Sequence, residues 1–537
     1  ANTPPIMINQ IYIKNFKLFQ AFTLSLNKDL NIIVGNNEAG KSTILEAIAL
    51  VLTKRLNGKA IEYELSSHLF NKASIDAYLK EVAGGGNPVP PEIVIELYLE
   101  ELAELQYLRG NNNSQKTDYV GLKLVISFDD EYADEYSKLL EAREQIKTIP
   151  TEYYKVHWYS FANNAITPRS LPVAISNIDA TTIRLQSGTD YFLQEIINGS
   201  LDAKEKVSLA IAYRKLKEQF SAEDAIVGIN AKLTQNQGAI TTKKLAISID
   251  TSQKTNWENS LIPHLDELPF QFIGKGEQSA LKIMLALERQ AKESNVILIE
   301  EPENHLSFSS MSTLIKKIRE KCAGKQIVIV THSAYVLNKL GIDKVIFLHE
   351  AKHSNLSKLP PDTQDYFKKL SGYDTLRLIL AKKAILVEGP SDELIVQKAF
   401  LVKHGKLPIE AGVDVISVRG LSFARYLDIA KELSNTVAVV TDNDGDYENK
   451  VEKKYTPYSA FGSIKVCADK NNALTTLEPH IAEVNGLDVL NKVFGKAFKD
   501  KPELVDYMTA NKTECALALF ETNEKIEFPA YVKDAVS

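Results

Sequence analysis

The sequence predicts an α/β protein made of two parallel-sheet domains in series, the first interrupted by a block of helices. Three observations carry this. Apolar, strand-like runs close on polar clusters at 30–41, 296–301, 326–332, 384–389 and 436–446, the layout of parallel strands with their chemistry at the carboxyl ends. Between about 191 and 237 amphipathic helical segments succeed one another with no strand between them. Finally, 537 residues are too many for one hydrophobic core, so two or three domains are expected.

Composition narrows the class. Apolar residues at 44% and charged ones at 25% are ordinary for a water-soluble globular chain. A net charge of −6 gives no global footprint for nucleic acid, so any polyanion must be held by local basic patches or by metal-bridged phosphates. Cys322, Cys467 and Cys515 are odd in number and scattered, which supports neither a disulfide framework nor a zinc site and suits a reducing, cytoplasmic compartment. No apolar run has membrane-spanning length, and no charged-then-apolar leader is expected at the opening of this sequence.

The stretch LNIIVGNNEAGKSTILEAIALVL, residues 30–52, organises the chain. A short apolar run reads as a buried strand. Gly35, Asn36, Asn37, Glu38, Ala39, Gly40, Lys41, Ser42 and Thr43 then carry G-x-x-x-x-G-K-[ST]. Ile44, Leu45, Ile48, Val51 and Leu52 follow at helical spacing. A chance glycine-rich turn would lack these flanks. Strand, glycine loop and helix together make a phosphate cradle of backbone N–H groups at a helix N-terminus. Lys41 is expected on the β/γ-phosphates and the Ser42 hydroxyl on Mg²⁺. The expected ligand is a nucleoside triphosphate.

Around this unit, 8–16 and 21–26 read as a hairpin turning at 14–20. A helix at 76–83, capped by Ser74, ends at Gly84-Gly85-Gly86. Residues 93–99 and 121–128 alternate like paired strands, with a polar surface loop at 110–117 between them, and 131–147 read as an acidic helix. The helices from 191 to 240 suit a coiled-coil arm or a dimerisation element, with helices packed on the sheet as the plain alternative. LAISI at 245–249 restores the strand rhythm. A helix near 373–382 leads into a fresh α/β series from 376 to 537, long enough to be a domain.

Glu300 and Glu301 end an apolar strand, where the first carboxylate would orient Mg²⁺ and the second would polarise the attacking water. His332 follows the next strand, where it would sense γ-phosphate. Gly274, Lys275, Gly276 and Glu277 open another helix with an anion-friendly start. With the phosphate loop, these motifs and the opening IYIKNFKLFQAF resemble the ABC ATPases of the SMC/RecF-like branch. That resemblance implies a head in two parts, 7–190 and 241–375, whose signature loop completes the site of a second head. The departures are Glu300 where ABC proteins usually carry Asp, no second glycine beside Gly276, and no long hinged coiled coil.

The second series carries carboxylates. Glu388 ends one strand with Asp392 a helical turn on, and Asp442 and Asp444, with Asp446 close by, end another. Alternate residues of an extended segment point the same way, so Asp442 and Asp444 are expected to converge. Such hard-oxygen donors suit Mg²⁺ or Mn²⁺, and two ions of this kind can activate water and stabilise a leaving oxygen. TDNDGD alone reads equally as a calcium-like turn; the second cluster argues against that. A strand-end Glu followed by a strand-end Asp-x-Asp resembles the Toprim domain. An ABC head followed by Toprim resembles the OLD (overcoming lysogenisation defect) nucleases over nearly the whole chain. The resemblance implies Glu388, Asp392, Asp442 and Asp444 as metal ligands, Glu478 as a further ligand and Lys512 as a cation for the transition-state phosphate. It also implies DNA as substrate, a homodimer or higher oligomer, and a role in anti-phage defence beside a helicase-like or retron-encoded partner. One glycine, Gly420, stands where relatives often have two. The reading is an ATP-regulated, metal-dependent endonuclease or nickase; the rival is an ATP-switched DNA clamp whose Toprim domain does not cleave. Intact Glu388 and Asp442-x-Asp444 favour the former.

Overall fold

The computed structural model describes residues 6–537, except 169, 172, 174, 180–184, 187–188, 191–200, 236–245, 250–256, 258–261, 263, 282, 285–294, 305, 322–323, 370–374 and 420–421. The chain divides into two compact units, one of residues 1–7 and 167–328, the other of 8–166 and 329–537. No helix among the described residues is long and apolar enough to cross a membrane.

In the larger unit the opening hairpin forms as its alternation demands, Ile8–Phe16 antiparallel to Phe19–Ser25. Ile93–Leu99, Tyr119–Phe128 and Tyr154–Ser160 extend it, each antiparallel to its neighbour. The strand at 154–160 carries no clear alternation and is invisible to pattern reading. Its Trp158 is buried and donates its indole N–H to the Val51 carbonyl at 2.8 Å, capping the end of the phosphate-loop helix. The strand Leu30–Gly35 buries Ile32, Ile33 and Val34 completely, each stabilising the core by about 1.5–3 kcal/mol, and pairs in parallel with Val345–His349.

Two local expectations need correction. The 72–83 helix is capped by Asn71, whose side chain accepts from the Ala73 N–H at 3.1 Å, while Ser74 donates to Asn15 at 2.6 Å. The polar loop at 110–117 is partly sheet: Arg109–Gly110 pairs with Tyr119–Val120. The loop is also anchored inward, because Ser114 gives its N–H and hydroxyl to the fully buried Glu96.

The last part of this unit is a four-stranded parallel sheet in the order Val413–Ser417, Lys383–Val387, Thr436–Val440, Ile464–Cys467. Its strands are near-continuous apolar runs because helices cover them. Pro390–His404, Leu477–Phe494 (broken at Gly486) and Lys512–Glu521 contribute to one buried cluster with Ile385, Val387 and Val440. The chain passes from the first strand to one flank and then returns to the other. The switch point therefore lies between Lys383–Val387 and Thr436–Val440, where open α/β sheets bind ligands.

In the smaller unit Ile175–Asp179 runs parallel to Val296–Glu300. The helices Ala203–Ser221 and Asp224–Gln235 form with no strand between them, the first closed by a capping box of Asp202 and Glu205. The remaining helical residues expected in this block, 191–200 and 236–240, lie outside the described residues, as does Leu245. Residues 246–249, expected as strand, are irregular.

Candidate functional site

At the switch point the two inner strands deliver their carboxylates side by side. Leu386 is in register with Val439, so Glu388 and Thr441, two residues on from each, meet across the strand ends. The Thr441 hydroxyl donates to Glu388 Oε1 at 2.9 Å, and the Asp442 N–H donates to the same oxygen at 3.2 Å. Asp392 sits in the first turn of the Pro390–His404 helix and accepts from the Gly389 N–H at 2.9 Å. Glu478, 5% exposed, begins another helix. It accepts from Thr476 at 2.8 Å and pairs with Lys512 at 3.1 Å.

These groups feel one another. Burial, then Glu388, Asp392 and Glu478, push the Asp442 carboxyl up to about 8, with Lys512 opposing. Burial and Glu388 push Asp392 to about 6. For Lys512 burial pulls downward, but Glu478, Asp442 and Asp392 together hold its ammonium above the ordinary value. Crowded, desolvated carboxylates with one neighbouring cation are unfavourable alone and favourable around a divalent ion. The donors are all hard oxygen, which fits Mg²⁺ or Mn²⁺. Among the described residues no three Asp, Glu, His or Cys side chains already close around an ion-sized point.

Asp444 behaves differently from its alternation. It adopts φ 49° and Gly445 φ 78°, so the chain turns sharply there, leaving Asp444 exposed with its N–H on the Thr475 carbonyl at 3.2 Å. It stands at the rim of the cluster. Asp446 faces elsewhere, accepting from Asn449 at 2.8 Å. What holds the turn is Asn443, which sequence reading passed over. Only 1% exposed, it donates to the carbonyls of Asp469 and Asn471 and accepts from the Gly445 N–H.

A stability prediction follows from the raised carboxyls. Their folded values lie above the unfolded carboxylate value near 3.9, so the folded state binds more protons between them. Stability is then full below about pH 4 and is lost as pH rises through about 6 for Asp392 and about 8 for Asp442. Metal-free Asp442→Asn protein should melt higher than wild type at pH 8.5, by roughly 5 °C. Wild type should gain more from Mg²⁺ at pH 8.5 than at pH 6. Identical melting profiles for the two proteins across pH 5–9 would show that Asp442 carries no such load.

The nucleotide motifs form as follows. Gly35 ends its strand where a Cβ would lie 2.7 Å from the Leu348 carbonyl oxygen, and Gly40 has φ 95° with no room for a Cβ against Phe19. Glycine is required at both. Lys41, 6% exposed, donates to the carbonyls of Gly35 at 3.0 Å and Asn36 at 2.9 Å. Its ammonium thus lies inside the loop whose N–H groups would face phosphate. Ser42 and Thr43 follow in the first turn of the Lys41–Thr53 helix. Thr331 donates to the Ile33 carbonyl at 3.2 Å, which sets the exposed His332 just past the strand end.

In the smaller unit Glu300 ends its strand and Glu301 follows at φ 45°, accepting from Asn304 at 2.6 Å. The 274–277 turn opens a helix, and a Cβ at Gly274 would meet nothing within 4 Å. Its anchor is Gln278, buried, whose amide donates to the carbonyls of Phe270 at 2.8 Å and Ile273 at 2.9 Å. That residue was not singled out by its sequence context.

Comparison with known proteins matches residues 7–337 to the family described as AAA ATPase domain, and residues 379–444 to the overcoming lysogenization defect protein-like TOPRIM domain. The chain is similar to Endonuclease GajA of Bacillus cereus, 20% identical over 460 residues, covering 81% of this chain and 75% of that protein. It is similar to an ATP/GTP phosphatase of Helicobacter pylori, 24% identical over 368 residues, 64% of this chain and 91% of that one. It is also similar to the retron Vc95 probable ATPase of Vibrio cholerae, 20% identical over 449 residues, 75% and 85% of the two chains. A solved SMC head bound to the C-winged helix domain of ScpA aligns at 16% identity with a TM-score of 0.34, over 65% of this chain and 96% of that one.

Proposed function

The chain belongs to the AAA ATPase domain family with an OLD-like TOPRIM domain behind it, and from that premise we propose a divalent-metal-dependent DNA endonuclease or nickase governed by ATP. The observation that carries the reading is the convergence of Glu388, Asp392, Asp442 and Glu478 at the switch point of a parallel sheet, with Lys512 beside them. A structural cluster would not gather acidic side chains that push the Asp392 and Asp442 carboxyls up; a site for cations gains from doing so. The Bacillus relative is named an endonuclease, which supports the same reading. The proposed domain boundaries are 7–190 and 241–375 for the head, 191–240 for the helical insertion and 376–537 for the Toprim domain.

Glu388, Asp442 and the exposed Asp444 would hold one Mg²⁺ or Mn²⁺, with Asp392 and Glu478 holding a second. Bound ions would supply an activated water and charge compensation for the leaving oxygen of a phosphodiester. Thr441 and the Asp442 N–H fix Glu388 through one oxygen, which sets the direction its carboxylate presents. Lys512, held by Glu478, is placed to meet negative charge developing on the phosphate. The proposed substrate is DNA and the proposed setting is bacterial anti-phage defence in the cytosol; the similarity to a retron probable ATPase is compatible with a retron-encoded partner.

The helices at 203–235 expose Val207 and Ile211 on one side of the first helix, Leu216 and Phe220 on its other side, and Val227 on the second helix, and these exposed apolar positions are the proposed contact between two copies; light scattering at micromolar protein checks for the pair. The activity itself is tested with supercoiled plasmid. Purified protein should relax it in Mg²⁺ or Mn²⁺ and stop when EDTA is added. Binding of plasmid without any nicking, over both metals and with or without ATP, would favour the clamp.

A further inference from the structure

The four strand ends of the parallel sheet present an ordered row of charges. The strand order places the end of Val413–Ser417 first, then Lys383–Val387, Thr436–Val440 and Ile464–Cys467. Beyond those ends stand Arg419, Glu388, Asp442 with Asp444, and Lys470 in the same order. Carboxylates alone occupy the middle, and a cation stands at each flank, Lys470 next to Asp469, whose carboxylate lies 3.8 Å from His480 Nδ1. Strands lie ~4.8 Å apart, so the outer two are separated by roughly 14 Å. At about 3.4 Å of axis per nucleotide of one strand, that interval covers about four nucleotides.

Resting on the nuclease reading above, we propose that Arg419 and Lys470 are positioning residues that grip the DNA backbone on either side of the phosphate to be cut. Both are exposed, as a phosphate contact requires. Both are also fixed to the carboxylate loops rather than left on free chain. Lys470 lies between Asp469 and Asn471, the two residues whose carbonyls accept from buried Asn443 at 2.9 and 3.0 Å. Its ammonium lies 5.8 Å from the ring centroid of Tyr447, whose N–H donates to Asn472 at 2.9 Å. One side-chain amide thus shapes the Asp442–Asp444 turn and seats the lysine loop. On the other flank Arg419 adopts φ 53° and gives its N–H to the Ser417 hydroxyl oxygen at 3.3 Å, and the Ser417 hydroxyl in turn lies 3.5 Å from the Glu388 carbonyl. A non-glycine residue in this conformation is uncommon and directs the side chain away from the strand path. In a chain of net charge −6, two cations at this crest are the local attraction that a polyanion needs beside a nest of carboxylates.

Cation contacts to phosphate act on binding and salt dependence more than on the chemical step. Arg419→Ala and Lys470→Ala should each raise KM for plasmid nicking about tenfold, leave kcat within about twofold, and flatten log Kd against log salt by about one contact. Lys470→Arg should restore most of the affinity. The double variant should lose both contacts, and ATP hydrolysis without DNA should not change. Unchanged KM and salt slope in both single variants overturn the backbone grip by Arg419 and Lys470, as does a loss confined to kcat. DNA binding by Glu388→Ala protein in Ca²⁺ separates the two ideas. If that protein nicks normally, the nuclease site is wrong; if it is inactive and Lys470→Ala in its background binds as tightly, only the backbone grip is wrong.

Discussion

Alanine at Glu388 or at Asp442 is expected to cut plasmid nicking by about a hundredfold or more, with ATP hydrolysis near that of the parent. Each change removes a hard-oxygen ligand from the point where the two inner strands meet. The Glu388 change also strips the acceptor from Thr441 and from the Asp442 N–H, so the neighbouring strand end loses its alignment. The Asp442 change removes the most strongly perturbed carboxyl of the cluster, pushed up to about 8 by burial and by its three acidic neighbours. Asp392→Ala and Glu478→Ala should be milder if they hold only a second ion, with partial rescue by Mn²⁺. Lys512→Ala should slow cleavage without changing the metal requirement, because it acts on phosphate charge and not on ligation. Relaxation of plasmid by the Glu388→Ala and Asp442→Ala proteins at saturating metal decides it. Full activity in both would remove the carboxylate cluster from the chemistry.

Residues whose chemistry depends on type and spacing were legible in the sequence. Gly35, Gly40 and Lys41 can be read because only glycine fits against Leu348 and Phe19, and because a cation must follow. Glu388 and Asp442 can be read because acidic residues rarely end apolar runs without a reason. The parallel order of the last four strands followed from apolar runs separated by helices. What could not be read is held by contacts between distant backbone atoms. Asn443 and Gln278 each act through carbonyls that no local pattern announces. The strand at 154–160 is fixed by its partner at 119–128 and by Trp158 reaching Val51. Alternation also misled at Asp444: it assumed an extended chain there, whereas left-handed backbone at 444 and 445 turns that carboxylate to the rim.

The second large effect is expected at the phosphate loop. Lys41→Ala should weaken ATP binding by about a hundredfold, since the ammonium makes charge-assisted contacts worth about 1.5–3 kcal/mol each. The structure gives a reason for so large a loss. Lys41 is 6% exposed and its Nζ is already seated on the carbonyls of Gly35 and Asn36, inside the turn formed by the two obligatory glycines. Exchanging those carbonyls for phosphate oxygens needs only a small movement of a cation that is desolvated in advance. Glu301→Gln should give the opposite pattern: ATP bound at near-parent affinity, hydrolysis reduced by about a hundredfold or more. Glutamine keeps the shape of a residue held at φ 45° and can still meet Asn304, but it cannot take a proton from water. Equilibrium binding of a fluorescent ATP analogue, paired with phosphate release, separates the two variants. Tight binding by Lys41→Ala would show that the loop holds nucleotide without its cation, and undiminished phosphate release by Glu301→Gln would take that carboxylate out of the hydrolytic step.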